Sequence, residues 1–234
     1  TEISLKSPAT MIPQAKNELK RMADMAQENL DRSIKGFLNQ SDEYLNKIYH
    51  REEDINNVSH AITDYLVKSN QLSLPLADQK ILGSMFYVVN DIERIGDHAE
   101  NFADYTKTEL KHNTGLTGDA KEEIKKMYEA VSKLLKLSLE SFMAQDGVNT
   151  QEDKLAEIAA LEASIDKMER RYQKHHIKRL AKGDCEPRAG LLFSDMLSEL
   201  ERIADHSVNI AYSMSDEDED EMLAAENEAL ATNN

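Results

Sequence analysis

The amino-acid sequence predicts an all-α fold in which two three-helix bundles follow each other in tandem and are related by internal duplication. The composition favours helices, because only four prolines and eight glycines interrupt long runs rich in Leu, Ala, Lys, Glu, Met and Gln. No run of alternating β-branched residues indicates strands. An 11-residue polar motif occurs twice, which indicates that a whole structural unit is duplicated.

The first unit is predicted to span residues 17–115, after a leading segment of residues 1–16 that contains two prolines. Its first helix is expected to begin near Asn17. From there, apolar residues recur at helical spacing: Leu19, Met22, Met25 or Ala26, Leu30, Ile34 and Phe37.

Turn-forming residues separate the other two helices of this unit. Ser41 or Asp42 is the expected N-cap of a second helix that runs to about Lys68. Pro75 then introduces a long third helix, which is expected to end near residues 113–115.

The second unit, residues 116–214, is predicted to repeat this order of helices. Its helices are expected over residues 119–145, over residues 152–181 after a break at Asp146-Gly147, and from Pro187 to about Met214. The first helices of the two units correspond, since residues 105 positions apart match: Met22 with Met127, Leu30 with Leu135 and Phe37 with Phe142.

Charge and composition limit the partner and the compartment. The formal net charge of -16 at pH 7 argues against nucleic acid and favours cations or basic surfaces. Residues 215–234 form an acidic tail that is expected to be solvated. The single cysteine, Cys185, favours a reducing cytosol, and no apolar run approaches the roughly 20 residues that span a bilayer. We therefore expect a soluble chain, whose start at Thr1 suggests processing or excision from a longer protein.

The repeated motif is the strongest functional signal in the sequence. It reads Glu93-Arg-Ile-Gly-Asp97-His98-Ala-Glu-Asn101-Phe-Ala103 and, 108 residues later, Glu201-Arg-Ile-Ala-Asp205-His206-Ser-Val-Asn209-Ile-Ala211. Seven of the eleven positions are identical, and most of the shared residues are polar. Core packing alone explains such a match poorly, so each unit is predicted to carry its own acidic site.

Helical spacing places the motif's oxygen-bearing side chains on the flank of each helix, beside its apolar face. In the first unit these residues are Glu93, Asp97 and Asn101, and in the second they are Glu201, Asp205 and Asn209. The fifth helix carries a further acidic pair, Glu162 and Asp166, which is matched in the first unit by Glu52 and Asn56.

Four carboxylates that converge on one groove repel each other, which raises their pKa values unless a cation lies among them. Oxygen ligands suit Mg²⁺, Ca²⁺, Mn²⁺ or iron, and the motif histidines His98 and His206 favour iron or zinc. The alternative is a solvated helix face. The adjacent pair His175-His176 is not expected to share an ion, because neighbouring side chains on a helix point apart.

These two motifs, each in a three-helix unit, resemble the PhoU family of phosphate-signalling regulators over residues 17–214. Residues 8–22 look like the junction that precedes a PhoU-like domain at the C-terminus of bacterial sodium/phosphate cotransporters. The resemblance implies multinuclear iron or zinc clusters on Glu93 and Asp97 in the first unit, and on Glu162, Asp166, Glu201 and Asp205 in the second. Asn56 departs from this pattern, because it replaces an expected acid.

The resemblance also implies a regulatory role on the cytoplasmic side of the inner membrane, with no catalytic residues. The expected partner is a membrane phosphate transporter, in cis or in trans, or a sensor kinase; a second copy of the chain remains open. One alternative is a metal-free helical adaptor. The other is a di-iron carboxylate enzyme, although only Glu109-Leu-Lys-His112 matches the Glu-x-x-His pattern that such bundles use twice.

Overall fold

The computed structural model describes residues 8–112, 115–144 and 148–214. The predicted all-α fold is confirmed, with six helices in these ranges: α1 Pro8–Leu38, α2 Leu45–Asn70, α3 Leu76–His112, α4 Gly118–Met143, α5 Val148–Lys182 and α6 Pro187–Tyr212. None of these described helices is both long and apolar enough to cross a membrane. The predicted break at Asp146-Gly147 and the acidic tail, residues 215–234, lie outside the described residues.

Two sets of three helices pack around one continuous apolar core. Helices α1, α2 and α3 contact each other pairwise, and so do α4, α5 and α6, while α1 with α4 and α3 with α6 join the two sets. The apolar stripes of the first helices lie in this core: Met22, Leu30 and Phe37 on α1, and Met127, Leu135 and Phe142 on α4.

The contacts between the units show that they are related by an approximate two-fold axis. Gln27 Nε2 donates to Ser132 Oγ at 3.2 Å, and these residues are 105 positions apart, so each contacts its own duplicate. The rings of His98 and His206, 108 positions apart, lie with their centroids 5.9 Å apart. Equivalent residues meet only close to a two-fold axis, so α1–α4 and α3–α6 pack around it.

The first helix begins earlier than the sequence predicts. Helix α1 starts at Pro8 rather than near Asn17, so the described part of the leading segment, residues 8–16, is helical. Met11 and Ala15 are buried in the core, and their burial outweighs the backbone hydrogen bond lost at Pro13, which lies inside the helix. The sequence interpretation was wrong here because the contacts that stabilise this turn are tertiary.

The predicted cap of α2 is also wrong. The helix begins at Leu45, and its N-cap residue, Tyr44, makes no capping hydrogen bond through its side chain. The Ser41 hydroxyl instead accepts from the backbone N–H of Glu43 at 3.3 Å, within a loop in which Gln40 adopts a positive φ of 50°. Ser41 therefore stabilises the turn before the helix rather than the helix terminus.

Gly190 makes room for a buried histidine, and its replacement is expected to destabilise the protein. A Cβ atom at this position would overlap the His176 ring, which is buried with its centroid 5.5 Å from that of Phe193. We expect Gly190→Ala to lower the free energy of unfolding by about 1–3 kcal/mol, because the ring has to shift in a packed core. Urea denaturation measures this change.

Gly83→Ala is the matched control, since this helical glycine has open space around it. Alanine there should stabilise the helix by up to about 1 kcal/mol. Equal effects of the two substitutions would contradict the packing described at Gly190.

Candidate functional site

The first acidic cluster lies between α2 and α3. We define cluster 1 as Glu52 and Asn56 of α2 together with Glu93, Asp97 and Glu100 of α3. The pKa of Glu52 is raised to about 7, mainly by burial and in addition by the nearby negative charges of Asp97, Glu100 and Glu93. Carboxylates therefore converge in the first unit too, although the sequence predicted convergence only for the acids of the fifth and sixth helices.

Glu52 reaches deep into the bundle because α3 carries a glycine opposite it. Its Oε1 atom lies where a Cβ on Gly96 would approach to 2.6 Å, so no larger residue fits without moving it. Asn29 of α1 donates to its Oε2 atom at 3.4 Å. Glu52 Oε1 and Asn56 Oδ1 are buried oxygens without a hydrogen-bond partner, which is costly inside a protein.

The other acids of cluster 1 are closer to the surface. Ser59 of α2 donates to Glu93 Oε2 at 2.9 Å, which ties the two helices together. Burial raises the pKa of Asp97, and Glu93 adds to that effect, although Arg94 opposes it from 3.5 Å. Arg94 therefore pairs with an acid one turn along its own helix.

The second acidic cluster lies at the equivalent place between α5 and α6. We define cluster 2 by its five carboxylates: Glu162, Asp166 and Glu169 of α5, and Glu201 and Asp205 of α6. Burial raises the pKa of Glu162, Glu201 and Asp205, and in each case carboxylates on the facing helix raise it further. The structure thus brings together the four acids that the sequence predicted, and it adds Glu169.

Glycine at position 96 explains why the two clusters differ in depth. Glu52 is buried, whereas its counterpart Glu162 is partly exposed. The residue equivalent to Gly96 in the second unit is Ala204, 108 positions later, and its methyl group leaves less room for an acid of the facing helix than a glycine does.

We expect Gly96→Ala to displace the Glu52 carboxylate outward and to lower its pKa towards the ordinary value for glutamate. Carbon-13 NMR of the side-chain carboxyl, titrated between pH 4 and 9 in metal-free protein, measures the shift. Gly83→Ala on the same helix is the control, because it has open space. An unchanged Glu52 titration in Gly96→Ala would contradict the role assigned to the glycine.

The histidine and asparagine of the first motif point away from cluster 1. His98 is buried, and its Nδ1 atom contacts the carboxylate of Glu199 on α6. Asn101 donates to the same carboxylate at 3.1 Å, and Tyr105 donates to its second oxygen at 3.4 Å. Burial raises the pKa of Glu199, but the hydrogen bonds from His98 and Asn101 outweigh this and leave it below its usual range.

The second motif makes the reciprocal contact. His206 Nδ1 lies 2.8 Å from Asp91 Oδ1, and Asn209 donates to the same oxygen at 3.3 Å. Asp91 and Glu199 are 108 positions apart, so the motif of each unit contacts the equivalent acid of the other unit. We call these two sets of contacts the reciprocal clamp.

Four of the predicted metal ligands form the contacts of the reciprocal clamp instead of lining the acidic clusters. His98, Asn101, His206 and Asn209 were predicted as ligands beside the motif acids, and the structure assigns them to packing between the units. The reason is angular for the histidines, which follow the acids by one residue and so lie about 100° round the helix, on the side that faces the other unit. The asparagines lie only about 40° round from the acids, but their amides donate across to the same acceptors as the histidines. The repeated motif therefore encodes two features, an acidic flank and a two-fold interface.

Comparison with known proteins places this architecture in a family. A family model described as the PhoU domain matches residues 19–106 and 124–214, which include all or most of each of the six helices. The chain belongs to the PhoU family. The two matched ranges correspond to the two three-helix units, so the internal duplication is that of the PhoU domain itself.

Individual PhoU relatives are distant in sequence but similar in structure. The phosphate-specific transport system accessory protein PhoU homolog 1 of Thermotoga maritima is 20% identical over 196 residues, which cover 83% of this chain and 82% of the relative. PhoU from Pseudomonas aeruginosa superimposes with a TM-score of 0.78 at 19% identity over 89% of this chain and 97% of its own. The phosphate transport system regulatory protein PhoU from Streptococcus pneumoniae gives 0.76 at 20% identity over 89% and 95%.

The PhoU clusters offer donors suited to a cation, but they do not form a preformed cage. Carboxylate and amide oxygens suit iron, zinc or harder cations. The buried oxygens of Glu52 and Asn56 accept no hydrogen bond, so a cation could take the place of the missing donor. Among the described residues, however, no three His, Cys, Asp or Glu side chains are arranged as a metal site.

Sequence reasoning missed the two acids that accept hydrogen bonds in the reciprocal clamp. Asp91 and Glu199 lie two positions before the first residue of each motif and are both acidic at the same 108-residue offset. Extending the repeat by two residues would have identified them. Glu100 and Glu169 were also missed, and their sequence signal is weaker because they have no acidic counterpart at the repeat offset.

Proposed function

We propose that this chain is a regulatory protein of phosphate transport that holds metal ions on its two acidic clusters. The observation that carries the proposal is the convergence of carboxylates at equivalent positions of both units of a PhoU fold. Membership of the family supports the regulatory role, since the Thermotoga maritima relative is named an accessory protein of a phosphate-specific transport system.

Cluster 1 would hold an ion through Glu52, Asn56, Glu93 and Asp97, and cluster 2 through Glu162, Asp166, Glu201 and Asp205. Iron or zinc is the proposed metal, and its positive charge would neutralise the repelling carboxylates. Because each cluster joins two helices, occupancy would fasten α2 to α3 and α5 to α6. The flank that results is the surface we propose for contact with a partner.

The proposed partner is a membrane phosphate transporter, such as a sodium/phosphate cotransporter, or a sensor kinase. The contact would take place on the cytoplasmic side of the membrane. Net charge favours a basic partner surface, since the chain carries -16 at pH 7 and both clusters are acidic.

Phosphate uptake tests this role directly. Cells that depend on the chain, with its transporter, would receive the Asp97→Ala/Asp205→Ala variant, and uptake of labelled phosphate would be measured in high and low phosphate. We expect the response of uptake to external phosphate to be lost. Asp24→Ala/Glu157→Ala is the matched control, because it removes the same charge from exposed ion pairs with Lys20 and Lys133. Uptake that is unchanged by the cluster variant would contradict the regulatory role.

A metal-free helical adaptor is the second candidate. It is favoured by one observation, that the described residues contain no group of three or more candidate ligands arranged around an ion. In that case the clusters would contact a basic partner without a metal. The di-iron enzyme finds no support in the described residues, because Glu109 is buried and accepts from Gln40 at 3.0 Å while His112 is exposed.

A further inference from the structure

The turn between α5 and α6 carries apolar side chains that no described residue covers. Ile177 and Leu191 are 62% and 65% exposed, and Leu180 is 37% exposed. We define the α5–α6 tip as residues 174–191. Side chains of this kind normally enter a core, so their exposure together at one end of the protein needs an explanation.

A hydrogen bond between the two helices shows that these side chains share one face. Ser194 of α6 donates to Gln173 of α5 at 3.2 Å, which fixes the register of the antiparallel pair. One turn closer to the tip, Ile177 follows Gln173 by four residues and Leu191 precedes Ser194 by three. Ile177 and Leu191 therefore lie side by side, on the same side as the hydrogen bond.

Basic residues surround this apolar face. The α5–α6 tip contains five Lys and Arg against two Asp and Glu, Asp184 and Glu186, in a chain whose net charge is -16. Arg179 pairs with Glu123 of α4 at 2.9 Å. Lys174, Lys182 and Arg188 are exposed and form no ion pair within the described part of the chain.

The equivalent tip of the first unit also exposes apolar side chains, such as Val67 and Leu76, but it carries no excess of basic charge. The α2–α3 tip, residues 64–83, contains two Lys and two Asp. Its residue equivalent to Ile177, 110 positions earlier, is Val67. The fold occurs twice but the basic charge only once, so the charge is a property of the second tip rather than of the helical hairpin.

We infer that the α5–α6 tip docks on an anionic lipid surface, with Ile177, Leu180 and Leu191 inserted among the headgroups and the flanking lysines and arginine against lipid phosphates. A lipid surface fits better than a protein groove, because the three apolar side chains are exposed at the end of the hairpin formed by α5 and α6. None of them lines the cavity of about 340 Å³ beside the tip, which charged residues line instead. Long basic side chains suit the rim of such a contact, since their aliphatic stems cover apolar surface.

The acidic clusters do not prevent this contact. Glu169, the acid of cluster 2 that is nearest to the tip in the sequence, precedes Ile177 by eight residues, which is about 12 Å along a helix. Exposed charges farther apart than about 8 Å are largely screened at physiological salt. Asp119, Glu122 and Glu123 of α4 lie beside Lys178 and Arg179 at the neighbouring cavity, so Lys174, Lys182 and Arg188 are the basic residues left for the contact.

Cosedimentation with vesicles tests the inference. The intact chain would be mixed, in 0.1 M salt, with vesicles of phosphatidylcholine containing one-quarter phosphatidylserine, or with phosphatidylcholine alone. We expect at least tenfold more protein bound to the anionic vesicles, and at least a fivefold loss in Ile177→Ser/Leu191→Ser and in Lys174→Gln/Arg188→Gln. Val67→Ser/Leu76→Ser, which alters exposed apolar residues of the α2–α3 tip, should bind as the parent chain does.

Circular dichroism confirms that each variant is folded before its binding is compared. Absence of binding to anionic vesicles, or an equal loss in the α2–α3 control, would overturn the inference. Capture by polyglutamate without vesicle binding would overturn it as well, and would indicate an acidic protein partner. The inference extends the proposed function, because a regulator of a membrane transporter works at the bilayer. The assay contains neither metal nor transporter, so its outcome is separate from that of the uptake experiment.

Discussion

Replacing Glu199 with alanine is expected to lower the free energy of unfolding by about 3 kcal/mol, the typical cost of removing one partner from a buried ionisable pair. The side chains of His98 and Glu199 are only 9% and 10% exposed. Without the carboxylate, the His98 ring and the Asn101 amide lose their shared acceptor in a region from which water is excluded. Chemical denaturation at pH 7 measures the change.

The reciprocal side of the clamp supplies the control. Asp91→Ala removes the equivalent acid, but His206 and Asp91 are 26% and 14% exposed, so water can replace part of the lost contact. We expect a loss of about 1 kcal/mol there. Glu199→Gln, which keeps one acceptor oxygen, should fall between the two alanine variants. A cost for Asp91→Ala that equals or exceeds that of Glu199→Ala would contradict the burial-dependent account of the clamp.

Replacing Glu52 with glutamine is expected to stabilise the metal-free protein at pH 8 by up to about 3 kcal/mol. The pKa of Glu52 is raised to about 7 in the folded state, mainly by burial. An unfolded glutamate titrates near 4.3, and each pKa unit corresponds to about 1.4 kcal/mol. The folded protein therefore has to carry a buried, repelled negative charge at pH 8, and the neutral amide removes that cost. Urea denaturation in the presence of a chelator measures it.

The free energy of unfolding is expected to increase as the pH falls from 8 to 5. A carboxyl group whose pKa is higher in the folded state binds protons more readily there, so it favours folding below about pH 4.3 and this advantage is lost as the pH rises through 7. The parent protein should gain stability as the pH falls from 8 to 5, and Glu52→Gln should flatten that part of the curve. Glu162→Gln is the control, since this residue is partly exposed and its effect should be smaller. A Glu52→Gln variant that is less stable than the parent at pH 8 would contradict the account.

Helical periodicity explains how much could be predicted from the sequence. Because 3.6 residues make a turn, the apolar stripes fixed which side of each helix faces the core, and the flank position of Glu93, Asp97, Glu201 and Asp205 followed. The duplication added the expectation that equivalent acids serve equivalent sites. Convergence of the acidic pairs of α5 and α6 required only that these helices be neighbours.

Features that depend on the placement of one unit against the other could not be predicted in this way. The side of α3 that carries His98 and Asn101 faces α6, and only the two-fold packing turns that side into an interface. The position of the Glu52 carboxylate against Gly96 depends on how closely α2 and α3 approach each other. The early start of α1 depends on Met11, whose burial is a tertiary contact.

Elemental analysis of the purified chain by inductively coupled plasma mass spectrometry is the most direct test of the central claim, that the two acidic clusters hold metal ions. The protein would be prepared without chelator, beside Asp97→Ala/Asp205→Ala and the charge-matched Asp24→Ala/Glu157→Ala. The account predicts more than one iron or zinc ion per chain, lost in the cluster variant and retained in the control. A folded protein that carries no metal, and takes up none when iron or zinc is added, would contradict it and favour the metal-free adaptor.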